Sequence, residues 1–373
     1  MFNERKMLES IYANQHDPDA LFALGEACEK EPRLDLALIC YQSALAINPN
    51  HEAALFRFGL MLATAGSHED AVSVFVRCAE KSPGNAQAWL HMGISLFATG
   101  ERKDAAVAFR EALRADPTMD EASVYLAIAL FDMAKPAESL GVLDQIRYME
   151  PTRAVVCHLR INALLALSRF DEALSMARHM ETSFSDDAEA LGKAGLVELM
   201  MGHVDAARRC FDGSLAIDPT CYDALSGRGN LALGEDDWEG AKEFFLSAVA
   251  ADETRFDAYL QLSNIAFAQG DFGELARWVK EGLARAPMHA GLLYYQALIA
   301  ARYKDFDTAE KTLQAILEIN RDHQPAHYGL GELYLQSKPD PANARKHLQE
   351  AVRIDSETNI GRKAAALLKR HFG

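Results

Sequence analysis

Apolar residues in this chain recur at helical spacing in short runs, and the runs come in pairs. Within residues 86–119, Trp89, Met92, Gly93 and Leu96 fall on one stripe, and Ala105, Ala106, Phe109, Ala112 and Leu113 fall on another. A 3.6-residue period of this kind predicts two helices packed face to face, over roughly 86–99 and 103–115. Gly100 separates them, and Asp116-Pro117 closes the pair, because proline cannot continue a helix. No alternating β-branched runs lie between turn clusters, so the chain reads as almost all helix.

The same pattern returns every 34 residues. Copies begin at Pro18, Glu52, Ala86, Asp120, Ala154, Ala188, Tyr222, Phe256, Ala290 and Gln324, the last with one extra residue near Lys338. Position 8 of the copy is mostly small, as in Gly25, Gly59, Gly93 and Gly195, and position 20 is mostly alanine, as in Ala37, Ala71 and Ala105. Small against small predicts a close approach of two backbones, so Ile161 at position 8 and Leu275 at position 20 predict local distortion in repeats five and eight. Position 24 is often aromatic (Tyr41, Phe75, Phe109, Phe211, Phe245), and position 32 is often proline (Pro49, Pro83, Pro117, Pro151, Pro219), which is expected to force the turn into the next copy.

Residues 86–119 resemble a tetratricopeptide (TPR) repeat. Trp89, Gly93, Ala105, Phe109 and Pro117 sit where that family's signature residues sit, with Met92 in place of the usual Leu and Leu96 in place of the usual Tyr. The resemblance extends over residues 18–358. It implies an all-α fold, a right-handed α-solenoid of about ten helix pairs in which stacking supplies the core that no single copy could bury. Residues 1–17, with Phe2, Met7, Leu8, Ile11 and Tyr12 on one face, are expected to form an N-terminal capping helix over about 4–14. Residues 359–373 are expected to form a C-terminal capping helix, with Ile360, Ala364, Leu367, Leu368 and Phe372 as its apolar stripe.

A formal net charge of −16 argues against a duplex nucleic-acid binder, which needs Lys and Arg to displace counterions, and against an anionic membrane surface. The N-terminus has no apolar core of signal-peptide length, and no uncharged apolar run reaches the roughly 18 residues needed to span a bilayer. Six cysteines without a CxxC pair predict a reducing, cytoplasmic setting. Charge is unevenly placed. Repeat seven has eight acidic side chains against three basic ones, whereas Arg362, Lys363, Lys369 and Arg370 make the C-terminal helix basic.

Chemistry is hard to find. The phosphate-cradling, HExxH and GxSxG motifs do not occur, and no segment outside the array is long enough for a catalytic domain, so no enzyme and no cofactor are expected. His323 and His327 have metal-ligand spacing, but His323 falls in a turn and Pro325 lies between them, so no metal is expected there either.

The TPR resemblance implies a concave groove lined by the first helices, with positions 2, 5, 9, 12 and 13 pointing into or along it, of which 5, 9 and 12 carry the most telling residues. Those positions give an apolar strip in repeats two to four (Phe56, Leu60, Leu90, Ile94, Phe97, Val124, Ile128, Phe131). Farther on they give a more polar stretch with Asn162, Asn230 and Asn264, and then Tyr294 and Tyr328. An exposed apolar strip of that extent marks a partner site, unless curvature or the N-terminal helix covers it. Amide side chains suit the backbone of an extended peptide. Position 5 is never Lys, so the Lys-Asn clamp by which some TPR proteins grip a C-terminal carboxylate is not matched. The expected function is a non-enzymatic scaffold or adaptor that holds a peptide or amphipathic helix of a partner protein. The alternatives are a self-assembling homo-oligomer and a regulatory subunit of a separately encoded enzyme such as a glycosyltransferase.

Overall fold

The computed structural model describes residues 11–14, 16–31, 33–146, 153–337 and 339–373. Between Pro18 and Phe372 it contains 21 helices, and no strand occurs among the described residues. They run as α1 (Pro18–Lys30), α2 (Leu34–Ile47), α3 (Glu52–Thr64), α4 (His68–Lys81), α5 (Ala86–Ala98), α6 (Arg102–Ala115), α7 (Asp120–Asp132), α8 (Pro136–Leu143), α9 (Arg153–Ala166) and α10 (Phe170–Ser183). They continue as α11 (Ala188–Met200), α12 (Val204–Ile217), α13 (Tyr222–Gly234), α14 (Trp238–Ala251), α15 (Asp257–Gln269), α16 (Phe272–Arg285), α17 (Ala290–Arg302), α18 (Phe306–Ile319), α19 (Gln324–Gln336), α20 (Pro341–Ile354) and α21 (Asn359–Phe372). Odd-numbered helices up to α19 are the first of each pair. The chain divides into two compact units, Met1–His179 and Met180–Gly373. Within each, a helix packs mainly on its sequence neighbours, as a solenoid requires.

The close approach inside a pair has a specific cause. A Cβ added to Gly93 would lie 2.5 Å from Cε1 of Phe109, and one added to Gly25 would lie 2.5 Å from Cε1 of Tyr41. The ring at position 24 therefore sits against the bare backbone at position 8. Position 20 completes the contact: in repeat four, Ser139 Oγ donates to the Ala127 carbonyl at 2.8 Å. In repeat five the volumes are exchanged, with Ile161 on the first helix and Ala177 on the second, both fully buried. Repeat eight offsets Leu275 with the smaller Val279 in the same way, and its helices keep their ordinary 13 and 14 residues.

The irregular element is in repeat four instead. Helix α8 has only eight residues where other second helices have 14. It carries Gly141, which weakens a helix interior. Its terminal carbonyl at Leu143 accepts from Arg160 Nη2 at 2.8 Å, so a cation of the next helix satisfies the early end.

Two turns repeat through the array. Position 15, just after the first helix, has positive φ in repeats two to nine: glycine in Gly66, Gly100, Gly202 and Gly270, but Ala134, Ser168, Asp236 and Lys304 in the other four. The turn between repeats rests on position 31 more than on proline. Asp116 Oδ1 accepts from Thr118 N at 2.9 Å and from Thr118 Oγ1 at 2.7 Å, and Asp252 does the same with Thr254 where position 32 is Glu253. Asn320 Oδ1 likewise accepts from Asp322 N where position 32 is Arg321. Such Asx turns fold the chain without help from a fixed φ.

The six cysteines are free and buried. No helix among the described residues is long and apolar enough to cross a membrane. The N-terminal capping helix lies outside the described residues except for its last turn, where Ile11 packs on the cluster holding Leu21 and on that holding Cys28. Helix α21 packs Leu367, Leu368 and Phe372 against Leu348 and Ala351 and leaves Arg362, Lys363, Lys369 and Arg370 exposed.

Two stability predictions follow from this geometry. Gly93→Ala should destabilise by about 1–3 kcal/mol in urea unfolding, and the pair Gly93→Ile with Phe109→Ala should recover part of the loss that Gly93→Ile alone produces, as Ile161 with Ala177 does naturally. Ala134→Gly, at φ 57°, should stabilise by about 1 kcal/mol in the same measurement.

Candidate groove and inter-repeat notches

In Met1–His179 the groove positions separate by side-chain length. Leu90 is 0% exposed and belongs to the core around Leu96, Phe109 and Leu130. Val124 is 9% exposed and packs with Leu143 and Ile146. Both were expected on the open strip; an aliphatic side chain at position 5 is short enough to be taken in between helices. Phe56 at the same position is half-buried, its ring 6.3 Å from that of Phe75 and 6.0 Å from that of His91. Leu60, Ile94, Phe97, Ile128, Phe131 and Asn162 are also half-buried. The apolar strip is therefore a set of partly sunk side chains and not a continuous exposed face.

Leu60 lines a cavity of about 590 Å³ with Leu34, Leu38, Met61, Ala65 and Thr64, rimmed by Glu29, Asp35 and Arg57. Arg57 is held there by Glu29 at 3.4 Å and Glu26 at 3.8 Å. Two repeats later the corresponding notch is filled by the chain itself. Arg102, at position 17 like Leu34, lays its guanidinium 3.9 Å from the centre of the Phe97 ring. Its Nε donates to Asp132 Oδ2 at 3.1 Å, and Nη1 donates to the Phe97 carbonyl.

In Met180–Gly373 the polar positions are partly spent on internal bonds. Asn264 donates to Gln261 Oε1 at 2.9 Å and accepts from Tyr295 Oη at 2.8 Å. Its amide is thus less open to a peptide backbone than its position implied. Asn230 is half-buried. The Tyr294 ring lies 6.3 Å from Tyr295 and 6.2 Å from His323. Burial, followed by the nearby Glu332 carboxylate, pushes its hydroxyl up to about 12. Tyr328 Oη donates to Glu332 Oε1 at 2.7 Å; burial and this bond raise the Tyr328 hydroxyl as well. Glu332 is half-buried, and among the described residues no lysine or arginine pairs with it. It lines a second notch of about 200 Å³, between repeats nine and ten.

The histidines have other work. His323 Nδ1 accepts from Ala326 N at 3.2 Å and caps α19. His327 shares a 2.9 Å contact between its Nδ1 and that of His347, and its Nε2 meets the Arg321 carbonyl at 2.9 Å. Glu332 stands at groove position 9 in the sequence, but Arg102 and the notches are not marked there unless the 34-residue register is extended to positions 17 and 6.

Tyr294 gives a pH test. Its folded pKa is raised from the ordinary 10.0 to about 12, so its contribution to stability is complete below pH 10.0 and is lost as the pH rises towards about 12. Tyr294→Phe should reduce the alkaline loss of stability across that window by up to about one proton, read from urea unfolding at stepped pH.

A tetratricopeptide repeat profile matches residues 5–52, 56–120, 193–258 and 304–357, and a second profile of the same repeat matches 96–156. Among curated proteins, a peroxisomal targeting signal receptor of Candida glabrata is 33% identical over 70 residues, which is 19% of this chain and 12% of the receptor. Among solved structures, a tetratricopeptide repeat protein from Parabacteroides merdae aligns with a TM-score of 0.53 at 15% identity, covering 63% of this chain and 93% of that one. A chain of the APC/C hetero-tetramer Cut9–Hcn1 aligns with a TM-score of 0.46 at 14% identity over 100% of this chain and 99% of its own. At 15% identity the likeness to the Parabacteroides merdae protein is one of fold. The repeat profiles, by contrast, cover more than half of the sequence, and the chain belongs to the tetratricopeptide repeat family.

Proposed function

We propose that this protein is a non-enzymatic scaffold or adaptor, and that a peptide or amphipathic helix of a partner protein lies along the first helices of its repeats. Tetratricopeptide repeats mediate protein–protein contact, and that coarse role follows from family membership. The finer reading rests on one observation above the rest: the 590 Å³ cavity walled by Leu34, Leu38, Leu60 and Met61. A cavity of this size with apolar walls and a charged rim takes an apolar anchor from a partner segment. Phe56, Ile94, Phe97, Ile128 and Phe131 continue the half-buried surface beyond it. The burial of Leu90 and Val124 narrows the strip but leaves these side chains in place. A cytoplasmic location fits the six free thiols.

The test is a partner isolated on the intact protein and then offered to Leu60→Glu combined with Ile94→Glu. Each carboxylate would be buried without a partner in the complex, so binding should weaken at least about 100-fold while circular dichroism stays unchanged. Retention of both the fold and the partner would remove the groove reading.

A further inference from the structure

The two cavities described above occupy the same place in the repeat. Each is bounded by position 17 of one repeat and by positions 6, 9, 10, 13 and 14 of the next: Leu34 with Arg57, Leu60 and Met61 in the first case, Phe306 with Gly329, Glu332 and Leu333 in the second. The boundary between repeats three and four has the same notch, closed by Arg102 reaching Asp132 at position 13 of the next repeat. The chain thus displays how a guanidinium fits this site: the stem runs over apolar walls, the cation lies on a ring, and the donors meet a carboxylate and a carbonyl.

The three notches differ in who supplies the cation. Between repeats three and four it is Arg102. Between repeats one and two, Arg57 stands at the rim, already held by Glu29 and Glu26. Between repeats nine and ten the acid is Glu332, and among the described residues no lysine or arginine meets it. Glu332 faces a notch whose other walls include Leu298, Phe306 and Leu313, with the Gln336 amide beside it. Position 6 there is Gly329, where an added Cβ would lie 3.2 Å from Leu313, so even a methyl group would take up part of the space. The volume of about 200 Å³ is several times the roughly 30 Å³ of one liquid water. Tyr328 occupies one carboxylate oxygen of Glu332 and leaves the other open among the described residues. A carboxylate oxygen left open in this way can accept a charge-assisted hydrogen bond from a guanidinium.

We propose that the notch between repeats nine and ten receives a basic side chain, arginine above lysine, from a partner peptide, with Glu332 as the carboxylate that meets it. This rests on the scaffold reading and specifies its chemistry: the partner segment carries an arginine that docks against Glu332 and Gln336, its stem lying along Leu298 and Phe306. The overall charge of −16 favours the approach of such a segment.

The probe is a capped pentapeptide with arginine at its centre and alanine elsewhere, compared with the same peptide carrying neutral citrulline. Both are titrated into the full-length protein, following the amide resonances of Gly329 and Gly331. The arginine peptide should shift them saturably, and the citrulline peptide should bind at least about tenfold more weakly, as should the arginine peptide to Glu332→Gln. Gly329→Leu should abolish the response by filling the notch. Because that variant also presses on Leu313, Glu332→Gln, checked for an unchanged melting temperature, carries the decision. Equal binding of the two peptides, indifference to Glu332→Gln, shifts confined to the acidic side chains of repeat seven, or no binding at all would each overturn the proposal. These results are separable from the scaffold test. Loss of partner binding on Leu60→Glu with Ile94→Glu, alongside an indifferent Glu332→Gln, would leave the scaffold in place and remove only the arginine site.

Discussion

In half of the helix pairs an aromatic ring at position 24 rests against unsubstituted backbone at position 8 and holds the pair at its spacing. Phe109 on Gly93, Phe75 on Gly59, Phe211 on Gly195 and Phe245 on Gly229 are the same contact four times over. The ring contributes a large buried apolar area, and the glycine allows the helices close enough to exclude water from it. The requirement is one of combined volume. Repeat five meets it with Ile161 and Ala177, and repeat eight with a leucine and a valine on the same helix. Because each repeat touches only its neighbours, such exchanges stay local and the register passes through them.

The fold was readable because its signal is redundant: a helical period, a small position and a turn recur ten times, and a lapse in one copy is corrected by the others. The parts that were not readable depend on depth or on side-chain direction. Leu90 and Phe56 share position 5, yet one is core and the other half-open, and only side-chain length against helix spacing decides between them. The inter-repeat turn was visible as Asp116-Pro117-Thr118, but the weight lay on the aspartate and not on the proline, as the proline-free turns at Asp252 and Asn320 make plain. The short α8 had a trace in Gly141. Its early end needed Arg160, 17 residues farther on, to meet Leu143, and no local pattern announces a partner at that distance.

Charged side chains in this array mostly tie one repeat to the next. Arg102 reaches Asp132, Arg255 reaches Asp223, Lys242 reaches Glu274 and Arg353 reaches Asp322, each across about one repeat length. Exposed pairs of this kind add little stability individually, on the order of 0–1 kcal/mol. Their recurrence at fixed separations gives them a different value, since they penalise any slip of one helix pair against the next. Against this background of internally matched charge, Glu332 accepts from the Tyr328 phenol, and among the described residues no lysine or arginine meets it.

Position 17 lies on the first turn of the second helix, clear of the ring-on-glycine contact that sets the fold. It is leucine in repeat one, arginine in repeat three and phenylalanine in repeat nine. A single codon change at that position can plug a notch from within or unplug it, while the scaffold is left untouched. On the proposed reading, such arrays can change what they bind one seam at a time, by turning an intramolecular plug into a vacancy for another chain. Drift at a site that is nearly neutral for folding becomes a source of new partnerships.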